Sequence, residues 1–188
     1  MDLKKYRDII QEVQTTRETL VLEKLPYGLS DLEPVMSKET LELHYKELAN
    51  AYVNRYNNKE GDDNFNYGGA TLHNLFFPML RSPKAGNKPD GTSEQLINKE
   101  YGNFEKFKDE FIKTAMGIQG SGWIYMDVNG NIKTIANQGF KKGMRIALLV
   151  DMWEHSYVLD YGHKKAKYLE NIWKIINWTT VNDRLQGE

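Results

Sequence analysis

The stretch Ile146-Ala147-Leu148-Leu149-Val150-Asp151-Met152-Trp153-Glu154-His155 decides how this chain is read. A short unbroken apolar run predicts a strand, Arg145 to Val150, buried on both faces. Asp151 then stands where the strand ends, and His155 falls on the turn of helix that follows, so a carboxylate and an imidazole can aim at one point. Two further histidines, His44 and His73, lie inside helical patterns upstream. Three imidazoles and one carboxylate are the donor inventory of a metal site.

Outward from that strand, Trp123 to Val128 and Ile132 to Asn137 read as two more strands joined through Asn129-Gly130, a tight-hairpin signal. Before them, Thr92 or Ser93 caps a helix to about Tyr101, and Asn103 caps another carrying Phe104, Phe107, Phe111 and Met116. After them, Ala166, Leu169, Trp173 and Ile176 predict one C-terminal helix from about His163 to Ile176. The segment Ser82 to Thr92, with two prolines and two glycines, reads as a linker.

Upstream of the linker the pattern is helical. Ser37 is an N-cap for a helix through about Asn57, with His44 and Tyr52 on one face, and Asn57 to Asn66 is a turn. A second helix is expected from about Gly69 to Leu80, with His73 on its apolar side. Leu3, Tyr6, Ile10 and Val13 recur at helical spacing behind Asp2. The expected fold class is α+β: a helical extension over residues 1–20, a helical hairpin lobe over 21–85, and a lobe over 92–188 with a three-stranded antiparallel sheet and surrounding helices.

Composition narrows the chemistry. The 188 residues are 40% hydrophobic and 12% aromatic, ample for a core, and the net charge of −1 gives no bulk attraction to nucleic acid or membrane. The absence of cysteine excludes disulfides, iron–sulfur clusters and thiolate zinc sites, leaving imidazole and carboxylate as ligands. With no leader-like apolar segment in Met1 to Leu20 and no apolar run of spanning length, the expected location is cytoplasmic. Taken singly, each candidate has a plainer reading: His44 and His73 as core histidines, Asp151 as a helix cap, Glu154 as a solvated charge, Gln138 as turn chemistry, and Tyr52 and the tryptophans as core. Their co-occurrence favours a site.

Along the chain stand Leu25-Pro26-Tyr27, Leu32-Glu33-Pro34, Leu43-His44-Tyr45, Ala51-Tyr52-Val53-Asn54 and Gly68-Gly69 ahead of His73. Gln119-Gly120-Ser121-Gly122-Trp123, Asn137-Gln138, Asp151 to His155 and Ile176-Asn177-Trp178 follow. Through these blocks and their order, the chain resembles the iron/manganese superoxide dismutases. The resemblance implies that His44, His73, Asp151 and His155 bind one manganese or iron ion, and that superoxide is disproportionated to dioxygen and hydrogen peroxide. Gln138 matches the glutamine that bonds the coordinated solvent, and Gly69 lacks the alternative glutamine of iron-type members, so manganese is preferred over iron. Tyr52 matches the channel tyrosine, and Trp123 and Trp153 match water-excluding walls. Glu154 matches the glutamate that pairs across a homodimer with the other subunit's ligand histidine.

The chain departs from the family at Leu48, where a histidine is usual, at Val158, where a tyrosine is usual, and at Phe77, where a tryptophan is common. The hairpin is also short. These departures keep open a metal-binding relative with little activity and a structural or interaction role. A different metal-dependent oxidoreductase is a third reading, against which the third histidine argues.

Overall fold

The computed structural model describes residues 18–187; the amphipathic pattern of residues 1–17 lies outside them. The first helical stretch begins as α1 (Lys38–Glu42), where the Ser37 hydroxyl accepts from the Thr40 N–H at 3.1 Å. It passes through a π-helical segment, Leu43–Ala49, and continues as α2 (Asn50–Asn58). The wide π turn carries His44, and such turns recur where a helix must present a side chain at a site. Lys59, left-handed at φ 58°, closes α2.

The return helix, α3 (Asp63–Phe76), starts six residues before the expected Gly69. The reason is local: the Asp62 carboxylate accepts from the Phe65 N–H at 2.7 Å, capping a helix start inside the polar stretch expected to be a turn. A short 3₁₀ turn, Phe77–Met79, ends the hairpin. Across the irregular residues 81–90 the chain reaches α4 (Gly91–Tyr101), whose N-cap position is Asp90 rather than Thr92 or Ser93. Then α5 (Phe104–Met116) follows, with Asn103 accepting from the Lys106 N–H at 2.9 Å.

Three antiparallel strands, β1 (Gly122–Asp127), β2 (Ile132–Ala136) and β3 (Ile146–Asp151), form a sheet in the order β2-β1-β3. The central β1 and the edge β3 are buried along their whole length, as the unbroken apolar run requires. Asp151 is the last residue of β3 and pairs with Trp123 on β1. The α+β class and the hairpin-then-sheet order match the expectation.

The C-terminus departs from it. In place of one helix to Ile176 there is a short α6 (Val158–Tyr161), then α7 (Lys165–Asn171), a 3₁₀ turn at Ile172–Ile175, and a further helix α8 (Trp178–Gln186). Ile176 is pulled into an extended bridge with Leu80, and the Asn177 N–H donates to Met79 O at 2.7 Å. This tertiary pairing with the end of the hairpin overrides helical propensity at Ile176. It also ties hairpin and sheet into one hydrophobic core running from Leu32 through Leu72, Trp123, Leu148 and Trp173 to Val181. Among the described residues no helix is long and apolar enough to cross a membrane.

Candidate metal centre

Three pieces of the fold converge at the end of β3. The π segment supplies His44, α3 supplies His73, and β3 with the following 3₁₀ turn (Glu154–Ser156) supplies Asp151 and His155. One ligand atom from each lies within 4.8 Å of all the others. Asp151 Oδ2 is the hub, with Nε2 of His44 at 3.1 Å, of His155 at 3.2 Å and of His73 at 3.8 Å. The other carboxylate oxygen is committed, since Asp151 Oδ1 accepts from the Trp153 N–H at 2.8 Å. That bond fixes the carboxylate plane and leaves Oδ2 facing the imidazoles.

Protonation states follow from burial. His44, His73 and Asp151 are inaccessible to solvent, while His155 keeps 14% exposure. Burial pushes the His44 imidazole below its ordinary value and His73 down to about 3, where the neighbouring His44 adds to the effect. Burial alone would raise Asp151, but the adjacent His155 and His44 outweigh it and hold the carboxyl well below the usual range. Neutral His44 and His73 beside an ionised carboxylate are in the forms that bind a cation.

Hydrogen bonding points the same way. His73 Nδ1 lies 2.6 Å from Gly69 O and donates to it, so its Nε2 carries the lone pair. That Nε2 is buried without any hydrogen-bond partner among the described residues, and His44 Nε2, buried 3.1 Å from Asp151 Oδ2, makes no aligned hydrogen bond there. Buried polar atoms left this way are costly unless something satisfies them. The donor set, its charge and its unmet valences all fit a single manganese or iron ion.

Around these four side chains lies an aromatic shell. Trp123 meets His73 edge-on at 5.1 Å, Trp153 stacks on His155 at 5.7 Å, and Phe76 and Phe77 lie 5.5 and 5.0 Å from His44. A polar thread crosses this shell: the Trp123 N–H donates to Gln138 Oε1 at 3.0 Å, and Gln138 Nε2 donates to the Tyr52 hydroxyl at 3.1 Å. Tyr52 stacks on His73 at 5.4 Å. Burial raises the Tyr52 phenol above its ordinary value, and the charge on Asp151 reinforces this against the Gln138 bond.

Two glycines let this thread form. A Cβ at Gly69 would lie 2.6 Å from the Tyr52 ring, and one at Gly68 would lie 1.9 Å from Gln138 O. The sequence marks Gly68-Gly69 without revealing this reason, which is close approach of α3 to the tyrosine and to the loop after β2. Sequence reasoning also passed over Phe65, whose ring meets both Tyr52 at 5.8 Å and Trp153 at 6.4 Å. Glu154 stands apart, exposed on the surface beside His155, with Val158 (43%) and Leu159 (57%) exposed just after it.

Comparison with known proteins agrees with this centre. Residues 19–63 match the alpha-hairpin domain of iron/manganese superoxide dismutases, and residues 89–184 match the C-terminal domain. A superoxide dismutase [Mn/Fe] of Porphyromonas gingivalis is 37% identical over 184 residues, 85% of this chain and 96% of the relative. A superoxide dismutase [Fe] of Pyrobaculum aerophilum is 33% identical, covering 91% and 94%, and a superoxide dismutase [Mn] of Corynebacterium diphtheriae is 35% identical, covering 90% and 98%. With both halves of the fold matched in order and the histidine–aspartate cluster assembled between them, the chain belongs to the iron/manganese superoxide dismutase family.

Proposed function

We propose that this protein is a superoxide dismutase, converting two superoxide ions and two protons to dioxygen and hydrogen peroxide. The observation that carries the reading is the convergence of three imidazole nitrogens on one free carboxylate oxygen in a buried, aromatic-walled site. A redox-active ion held by His44, His73, Asp151 and His155 would supply the electron transfer, taking an electron from one superoxide and giving it to a second.

The chain's own residues handle protons and water. Gln138 donates to the Tyr52 oxygen, which leaves the phenol's own proton free to be given onward, and burial keeps that phenol protonated. Trp123, Trp153, Phe76 and Phe77 exclude bulk water and so strengthen the local electrostatics. With Leu48 and Val158 at the two positions where the resemblance calls for a histidine and a tyrosine, proton delivery falls to Tyr52 and Gln138. Manganese is the preferred ion in this reading, on two supports. Gln138 is in place between Trp123 and Tyr52, and the Tyr52 ring leaves no room for a side chain at Gly69.

A homodimer joined through Glu154 belongs to the same proposal. Its carboxylate is exposed and carries no hydrogen bond or ion pair among the described residues, and it adjoins His155, the one ligand with surface exposure. A cytoplasmic location, and the division into an extension over 1–20 and lobes over 21–85 and 92–188, stand with it as proposals; the irregular residues 81–90 support the division. The deciding test is Gln138→Ala. The variant should keep full metal content and lose dismutation at least tenfold, as about 1.4 kcal/mol of lost transition-state stabilisation gives. Full metal with unchanged activity would leave the binding-only reading standing.

A further inference from the structure

We infer that Asn57 and Asn74 are positioning residues for Tyr52, acting through an extended strap formed by Leu20 to Glu23. The inference rests on the reading of Tyr52 as part of turnover. Asn57 sits in the last turn of α2 and Asn74 near the end of α3, so the two belong to opposite arms of the hairpin. Each grips the strap with both ends of its amide. Asn57 accepts from the Leu20 N–H at 2.9 Å and donates to Leu20 O at 2.9 Å. Asn74 accepts from the Glu23 N–H at 3.0 Å and donates to Val21 O at 2.7 Å.

These bonds replace what a neighbouring strand would supply. An isolated extended segment has unpaired backbone donors and acceptors, and a carboxamide, with one acceptor and a two-proton donor, can satisfy both kinds at once. Tyr45 adds a third tie, its hydroxyl donating to Glu23 O at 3.1 Å. The strap is thereby laid across both arms rather than along one.

Its apolar side chains explain the effort. Leu20 and Leu22 pack against a small cluster made of Tyr52, Val53 and Ala70, and Leu22 reaches the main core as well. Tyr52 is otherwise held by Gly69 beneath its ring, His73 stacked on it, Phe65 at its edge and Gln138 at its hydroxyl. The cluster that Leu20 and Leu22 cover is its further support. With the clamps gone, Leu20 and Leu22 can lift away and the ring can tilt, and a misplacement of about 1 Å at a reacting group is enough to cost large factors in rate. The ligands themselves are held from other directions, so metal binding is spared.

The experiment is a double-mutant cycle on the metal-loaded protein, pairing Asn57→Ala plus Asn74→Ala with Tyr52→Phe. The clamp variant should bind metal at full occupancy, keep kcat/KM within about twofold and lose kcat about fivefold or more. In the Tyr52→Phe background the same clamp changes should cost nothing further, because the group they position is gone; independent losses would instead multiply. Multiplying losses, falling metal content or an unchanged kcat in the clamp variant would overturn the strap proposal while leaving Tyr52's role intact. An unchanged kcat in Tyr52→Phe alone would overturn the reading of Tyr52, and the strap proposal with it. Should the clamp variant fail to fold, Leu20→Ala removes packing on the Tyr52 cluster alone while keeping every amide bond, and the same cycle decides.

Discussion

Replacing Gly68 by alanine tests how the site is held more sharply than removing any ligand. In an isolated helix the change would stabilise by about 0.5–1 kcal/mol, because glycine gives up more backbone entropy on folding. Here the added Cβ lands 1.9 Å from Gln138 O, with Gln138 C at 3.0 Å and the Phe140 N at 3.3 Å. Ordinary contact begins at 3.4 Å, so the loop after β2 must retreat by about 1.5 Å, and the atoms in the way are backbone, which yields poorly.

Overpacking of this kind costs about 1–3 kcal/mol, and breaking the Gln138 bonds to Trp123 and Tyr52 adds about 1 kcal/mol for each. After the helix gain, a net loss of about 2–4 kcal/mol remains, which for a chain of this size lowers Tm by about 4–16 °C. Turnover should fall about tenfold or more, since Gln138 is displaced, while His44, His73, Asp151 and His155 still bind metal. Thermal denaturation, metal analysis and a dismutation assay on one preparation measure all three. Gly28→Ala is the control: its nearest atoms are the tip of the Asp31 side chain at 3.3 Å, so its effect should stay within about 0.5 kcal/mol. A Gly68→Ala protein with unchanged Tm and turnover would mean that the close approach of α3 to Gln138 does not hold the site.

Three other outcomes are expected. Phe107→Ala, at a fully buried ring touching Tyr101, Phe111 and Trp173, should cost about 3–5 kcal/mol in urea denaturation while metal content stays full. Asp127 takes N–H bonds from Asn129 and Asn131 and an ion pair from Lys133; burial pushes its carboxyl up, but these partners prevail and hold it below the ordinary value. The folded state therefore binds that proton more weakly than the unfolded chain, so its contribution is present above about pH 4 and is lost as pH falls through the depressed value. Asp127→Ala should lower stability at pH 7 by about 1–3 kcal/mol and flatten the decline toward pH 3 in urea titrations. Glu154→Ala should weaken self-association in sedimentation velocity, and a protein that is monomeric before and after the change would remove the dimer proposal.

The legible parts of the fold are those where local and tertiary preferences agree. The apolar run at Ile146 to Val150 could only be buried, and Asn129-Gly130 could only turn, with Gly130 at φ 88°. The early start of α3 was legible too, in the cap at Asp62, but the polar stretch around it hid the signal. The break at Ile176 was not, because its cause is a bridge to Leu80, ninety-six residues away. The helix beyond it left a trace in Trp178, Val181 and Leu185 at helical spacing. At the site, the four side chains that gather there were readable from residue type and order. The uses of Gly68 and Gly69 became visible only when α3 was set against Tyr52 and Gln138.

The central claim, that these four side chains make a dismutating metal site, is tested most directly by reconstitution. Metal-free protein is loaded separately with manganese and with iron, its superoxide dismutation is normalised to bound metal, and His73→Ala is run beside it. The expected result is one ion per chain, activity far above the free ion with manganese the more active metal, and loss of both binding and activity in the variant. Full occupancy with activity no greater than that of the free ion would contradict it.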